Sequence, residues 1–185
     1  MIKGLNKITE AAGLGYLMSS YTSHPAGFGA AQEDAEGIAA DMLQAGLVVF
    51  APIAYGPALD RRMCGEVLPS DSRYYRSHEF WMPICERFFE RCDYGIIAMT
   101  PGWEKSQGIA IELFDLTRRR VPVWFYDQRE RRIMTFNEAA EEREDELEEL
   151  MQRAGELQTK HLNSATEVYT NACWDAFVKL AGADV

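Results

Sequence analysis

A chain of 185 residues, 47% of them hydrophobic, is long enough to bury one core of ordinary size, so a single domain with an appendage is expected. The formal charge of −10 argues against a nucleic-acid polymer as partner, because phosphate contacts require clustered Lys and Arg. Cys64, Cys85, Cys92 and Cys173 form no CxxC pair and no metal-knuckle spacing, which argues against zinc and a disulfide framework; no metal or cofactor is expected.

The acid is uneven. Residues 137–161 alone supply −6, leaving only −4 elsewhere, so the body of the chain still has room for an anionic small molecule in a local basic pocket. The chain opens with no targeting pattern, and no apolar run approaches the roughly 20 residues of a membrane span, so a soluble cytoplasmic protein without a membrane partner is expected.

In chain order, "LGYLMSS" (14–20) is a nearly continuous apolar run, as in a strand buried on both faces of a parallel sheet. From Ala30 to Ala45 apolar residues recur at helical spacing, and Gly46 sits where a C-terminal cap belongs. "LVVFAPI" (47–53) reads as a second strand stopped by Pro52. Residues 54–77 show neither period and contain Arg61, Arg62, Arg73 and Arg76; they read as a long loop, either a ligand lid or a solvated surface segment.

A helix is predicted over 78–92, with Phe80, Trp81, Ile84, Phe88 and Phe89 covering one side and Pro83 inside it. "DYGIIAM" (93–99) is the third strand, "SQGIAIELFDLTRRR" (106–120) a helix and "VPVWFY" (121–126) a fourth strand. This alternation predicts an α/β fold, a doubly wound flavodoxin- or Rossmann-like parallel sheet of four to five strands. Beyond Asp127 two helices are expected, a solvated acidic one and a packed one carrying Val168, Tyr169, Trp174 and Phe177, which together form a C-terminal helical extension. The division is therefore 1–127 and 128–185.

The chemistry concentrates after the third strand, at the edge where open α/β sheets bind ligands. On a helix starting near Lys105, Glu112 leans back over Gly108, whose missing side chain clears space above the carboxylate. Ser106 lies six residues earlier, roughly 9 Å along the axis, where helix N–H groups attract an anion. A carboxylate and an anion site at that separation suit a sugar phosphate. The same residues have plainer readings, with Ser106 a helix N-cap, Tyr21 a packed turn aromatic and Glu112 a solvated helix residue. His24 and His78 lack partners at ligand spacing, and "GFGAAQ" (27–32) lacks the third glycine of a dinucleotide fingerprint.

"SQGIAIEL", preceded by "CDYGIIAM" and "YLMSSYT", resembles the nucleoside 2-deoxyribosyltransferase superfamily, which includes deoxynucleoside-monophosphate N-glycosidases and a branch common in phages. The resemblance spans about residues 14–126. It implies that Glu112 attacks the anomeric carbon, that Asp93 positions or protonates the base, and that Ser106 holds the 5′ end of the sugar. An acid is common at the Ser106 position in enzymes of free nucleosides, so a serine points to a 5′-monophosphate. Ser19, Ser20, Tyr21 and Trp103 are the further pocket candidates. One difficulty stands in the residues themselves, since an Asp opening a parallel strand lies away from the ligand edge.

The expected activity is N-glycosidic cleavage or deoxyribosyl transfer on a (deoxy)nucleoside 5′-monophosphate through a Glu nucleophile, with a small-molecule nucleotide or nucleoside as the partner. The alternative is a nucleotide-sensing module with the same pocket and no turnover. Residues 135–181 are expected to pack on the sheet domain or on a second subunit, making a homodimer or higher oligomer.

Overall fold

The structure is a computed structural model that describes residues 2–8, 13–64 and 78–162. It is an α/β, Rossmann-like fold. Five strands, β1 (Leu14–Met18), β2 (Val48–Phe50), β3 (Tyr94–Ala98), β4 (Val123–Asp127) and β5 (Arg132–Met134), lie in the order β2-β1-β3-β4-β5. The first four are parallel, and β5 returns antiparallel to β4, pairing Phe125 with Met134. From β1 the chain winds outward to β2 and then crosses to β3 on the other side, so the topological switch point lies between β1 and β3.

Alternation along the strands divides the core between two faces. Leu17, Tyr94 and Ile96 meet Ala35, Ile38 and Met42 of α1 (Phe28–Gln44) on one face. Tyr16, Met18, Ile97 and Phe125 face Ile109, Leu113 and Leu116 of α4 (Gln107–Arg118) on the other. Gly95 lets α4 approach closely, since a Cβ there would stand 2.5 Å from the Leu116 side chain.

Several expectations are corrected. Pro52 ends β2 but also opens a helix, α2 (Pro52–Cys64), where a loop is predicted from residue 54. Proline's fixed φ and missing N–H suit the first helical turn, and α2 packs on α1. Arg61 and Arg62 therefore belong to a helix, while Arg73 and Arg76 lie outside the described residues. The next helix is α3 (His78–Phe89); Trp81, Cys85 and Phe89 turn inward, whereas Phe80, Ile84 and Phe88 are exposed.

The acidic segment is two helices, α5 (Phe136–Glu142), opened by a Thr135–Glu138 capping box, and α6 (Glu144–Leu162). α6 is not merely solvated, because Leu147, Leu150 and Ala154 are buried against α4 and the 3₁₀ turn Trp103–Lys105. The sheet likewise continues past residue 127 into β5. The predicted last helix, with Val168 to Phe177, lies outside the described residues.

Candidate functional site

Tyr16 is the second strand residue to leave β1 toward α4, and Glu112 projects from α4 just beside the face that buries Ile109 and Leu113. The Tyr16 hydroxyl donates to Glu112 Oε1 at 3.0 Å. Phe89 stands edge-on to the Tyr16 ring at 4.9 Å, and Phe50 lies 5.9 Å from it. Phe88 stacks on Phe50 at 3.9 Å. The carboxylate thus sits in a cleft between α3 and α4, floored by Tyr16 in the middle of β1 and walled by aromatic rings.

Those apolar walls set the protonation of the cleft. Burial pushes the Glu112 carboxyl up to about 7, and the Tyr16 hydrogen bond holds it partly down. Cys85, within hydrogen-bonding reach of Tyr16, has its thiol raised to about 11, by burial first and by the Glu112 charge second. The Tyr16 phenol is raised by the same two causes in the same order. Near neutral pH, Tyr16 and Cys85 keep their protons and Glu112 is the group that titrates.

Arg119 fixes the lower end of the cleft. Its Nη1 donates to the Phe89 carbonyl at 2.7 Å and its Nη2 to that of Glu90 at 2.8 Å, so the last turn of α3 is tied to the last turn of α4.

The remaining expected site residues have varied positions. Ser106 is the N-cap of α4, its Oγ accepting from the Ile109 N–H at 3.3 Å, as its plainer reading requires. Gly108 is exposed one turn above Glu112, and a Cβ there would only touch Ser106 Oγ at 3.8 Å, so close packing does not require this glycine. Ser20 is fully buried and clasps the carboxyl ends of β1 and β3, with Thr100 Oγ1 at 2.9 Å and the Pro101 carbonyl at 3.0 Å. Ser19 is half-buried beside it. Tyr21 packs on Phe28 with ring centroids 4.8 Å apart. Trp103 is a core residue rather than a pocket wall, 3% exposed and edge-on to Phe125. Gly102, at φ +81°, brings this loop against the Ser23 carbonyl, which a Cβ would approach to 2.2 Å.

Asp93 is not brought to Glu112. It opens β3 at the amino edge, where its Oδ2 accepts from the Leu14 N–H at 2.8 Å and fixes the start of β1 beside β3. The strand-opening position noted in the sequence is its actual one. His24 is structural too: its Nδ1 accepts from the Ala26 N–H, and Nε2 lies 3.2 Å from Asp34 Oδ2. Among the described residues no cluster of three His, Cys, Asp or Glu side chains is placed to hold a metal ion, and no helix is long and apolar enough to cross a membrane.

Tyr16 and Cys85 are absent from the sequence-based site. For Tyr16 a signal existed, since a tyrosine inside an otherwise apolar buried strand needs a partner for its hydroxyl. Residues 14–128, more than half of the chain, match the family described as "Domain of unknown function (DUF1937)", and the chain belongs to that family. The match covers Tyr16, Cys85 and Glu112. No curated protein and no solved structure matches the chain.

Proposed function

We propose that this member of the DUF1937 family binds a nucleoside 5′-monophosphate between α3 and α4 and cleaves its N-glycosidic bond, or transfers its sugar, through Glu112. The observation that carries the reading is the Tyr16–Glu112 hydrogen bond inside an aromatic-walled cleft over the middle of β1. It is supported by the resemblance of "SQGIAIEL" to the deoxyribosyltransferase superfamily.

Cleavage passes through an oxocarbenium-like state. An ionised Glu112 approaches the anomeric carbon and forms a glycosyl ester as the base departs; water or an acceptor base then breaks that ester. Tyr16 orients the carboxylate and favours its charged form. The amides that open α4 beyond Ser106, at the exposed Gln107 and Gly108, are the donors for the 5′-phosphate. Asp93 has no part in this scheme, because its carboxylate is engaged at the other edge of the sheet.

One observation favours the sensing alternative. A carboxyl raised to about 7 is largely neutral just below that pH and then suits hydrogen bonding better than attack.

Incubating the protein with each deoxynucleoside monophosphate and assaying free base separates the two readings. Base release by the wild type, abolished in Glu112→Gln while nucleotide binding persists, is the expected result. Binding without release in the wild type would establish the sensing module, and the absence of both would reject the site.

A further inference from the structure

Helices α2 and α3 each expose an apolar stripe at successive turns. Tyr55, Leu59 and Met63 on α2 are 42, 55 and 46% exposed, and Phe80, Ile84 and Phe88 on α3 are 37, 40 and 40% exposed. Spacings of four place each trio along one side of its helix. The stripes meet at Phe50, on which both Tyr55 and Phe88 stack. Contiguous apolar surface of this kind on a water-soluble domain marks a contact site.

We propose that this face is where a second copy of the chain docks, with α3 of one copy lying antiparallel to α3 of the other across a twofold axis. Two features select a second copy over a different partner. The α3 stripe reads the same in both directions, Phe80–Ile84–Phe88, so a twofold sets Phe80 of one copy against Phe88 of the other and Ile84 against Ile84.

Charge is the second feature. The chain carries −10, yet from Pro52 to Cys64 and from His78 to Arg91 the sequence has four acidic residues and four arginines, and one of those acids, Asp60, is buried, so this face carries no excess of negative charge. Two copies of an acidic chain repel at most surfaces, above all at α6, and meet without that cost on a locally neutral one. A basic partner would find its complement on α6 instead. The contact also reaches the cleft, since Phe88 lies on Phe50 and Phe50 lies beside Tyr16. Docking would bury the outer aromatic wall of the site. The inference stands whether or not the cleft turns over a nucleotide.

Sedimentation equilibrium on the full chain, at micromolar concentration, tests it with Ile84→Glu and Ile84→Lys. The wild type is expected to dimerise and each variant to associate at least about tenfold more weakly, because like charges face each other on the axis. Mixing the two variants in equal amounts should restore a dimer. Hydrogen exchange of the unmodified chain gives a second readout that needs no variant: residues 80–88 should lose protection on dilution. A monomeric wild type, a dimer that both variants retain, or variants that fail to recombine would each overturn the proposal.

Discussion

Glu112 shows how one buried carboxyl makes stability depend on pH. Its folded form holds a proton until about pH 7, whereas an ordinary carboxyl, as in the unfolded chain, loses its proton near 4.5. Between those values the unfolded chain binds fewer protons, so stability falls as pH rises through the window, and the loss is complete above it. Glu112→Gln should therefore be more stable than the wild type at about pH 8, by on the order of 2 kcal/mol, and equal to it at about pH 4. Urea denaturation at both pH values checks this, and a variant destabilised at the higher pH would contradict it. If the proposed activity holds, the same substitution removes turnover, the usual opposition of stability and function at a working site. Tyr16→Phe removes the hydrogen bond that holds the carboxyl down, so the acid limb of kcat/KM should move to higher pH, which a pH–rate profile would reveal. Glu112 was named from the sequence by its spacing from Ser106 and Gly108 on one helix together with the resemblance of "SQGIAIEL" to the deoxyribosyltransferase superfamily. Its partners Tyr16 and Cys85 come from other elements, and no local pattern predicts which strand and helix will converge on it. Asp93 was legible as a strand-opening residue, and its bond to Leu14 is what that position does.

At the scale of elements, α3 has a thin inward side, with Phe89 buried and Trp81 and Cys85 partly so; its placement therefore leans on Arg119. Arg119→Met keeps the aliphatic stem but loses both carbonyl contacts. It should cost about 1–2 kcal/mol and raise hydrogen exchange in the last turn of α3, while α1 and its partner strands stay protected. A second tie, from Lys7 to Glu138, has the opposite pH sense to Glu112. Burial raises the Glu138 carboxyl, but the Lys7 ammonium and the Thr135 backbone and hydroxyl donors outweigh it and bring it down to about 2. Its contribution is present above about pH 4.5 and is lost as pH falls toward 2. With the Glu138 side chain 39% exposed, solvent screening limits that contribution to about 1 kcal/mol or less. Strands β1 to β4 and the helices α1, α3 and α4 were legible because their apolar spacing is strong and local, whereas the three residues of β5 are too short a run to carry a period. α2 was not, because Gly56, Pro57 and Asp60 are poor helix formers and its exposed Tyr55, Leu59 and Met63 leave little inward pattern. Packing on α1 overrides those propensities.

For the whole molecule, the boundary suggested by charge and the boundary set by packing differ. Composition changes sharply after Asp127, yet β5 pairs with β4 there, and Met134, Ala139, Leu147 and Leu150 enter the same core as Tyr16 and Leu113. The acids of α6 mark its outward side, while Leu147, Leu150 and Ala154 cover α4 and the turn Trp103–Lys105. A chain ending at Asp127 would leave β4 as a bare edge and expose Phe125 and the outer side of α4. It should fail to unfold cooperatively and should bind a hydrophobic dye. Leu150→Ala asks the same question without removing chain. Leu150 is completely buried, so truncating it should cost about 2–5 kcal/mol, and the turn that leads into Ser106 and α4 should exchange faster. Because that turn places the helix carrying Glu112, nucleotide binding, if the proposed function holds, should weaken together with stability, although Leu150 itself belongs to α6. A truncated chain that melts cooperatively at the wild-type temperature, or a Leu150→Ala chain of unchanged stability, would show that the acidic helix is an appendage rather than the cover on the core behind the cleft.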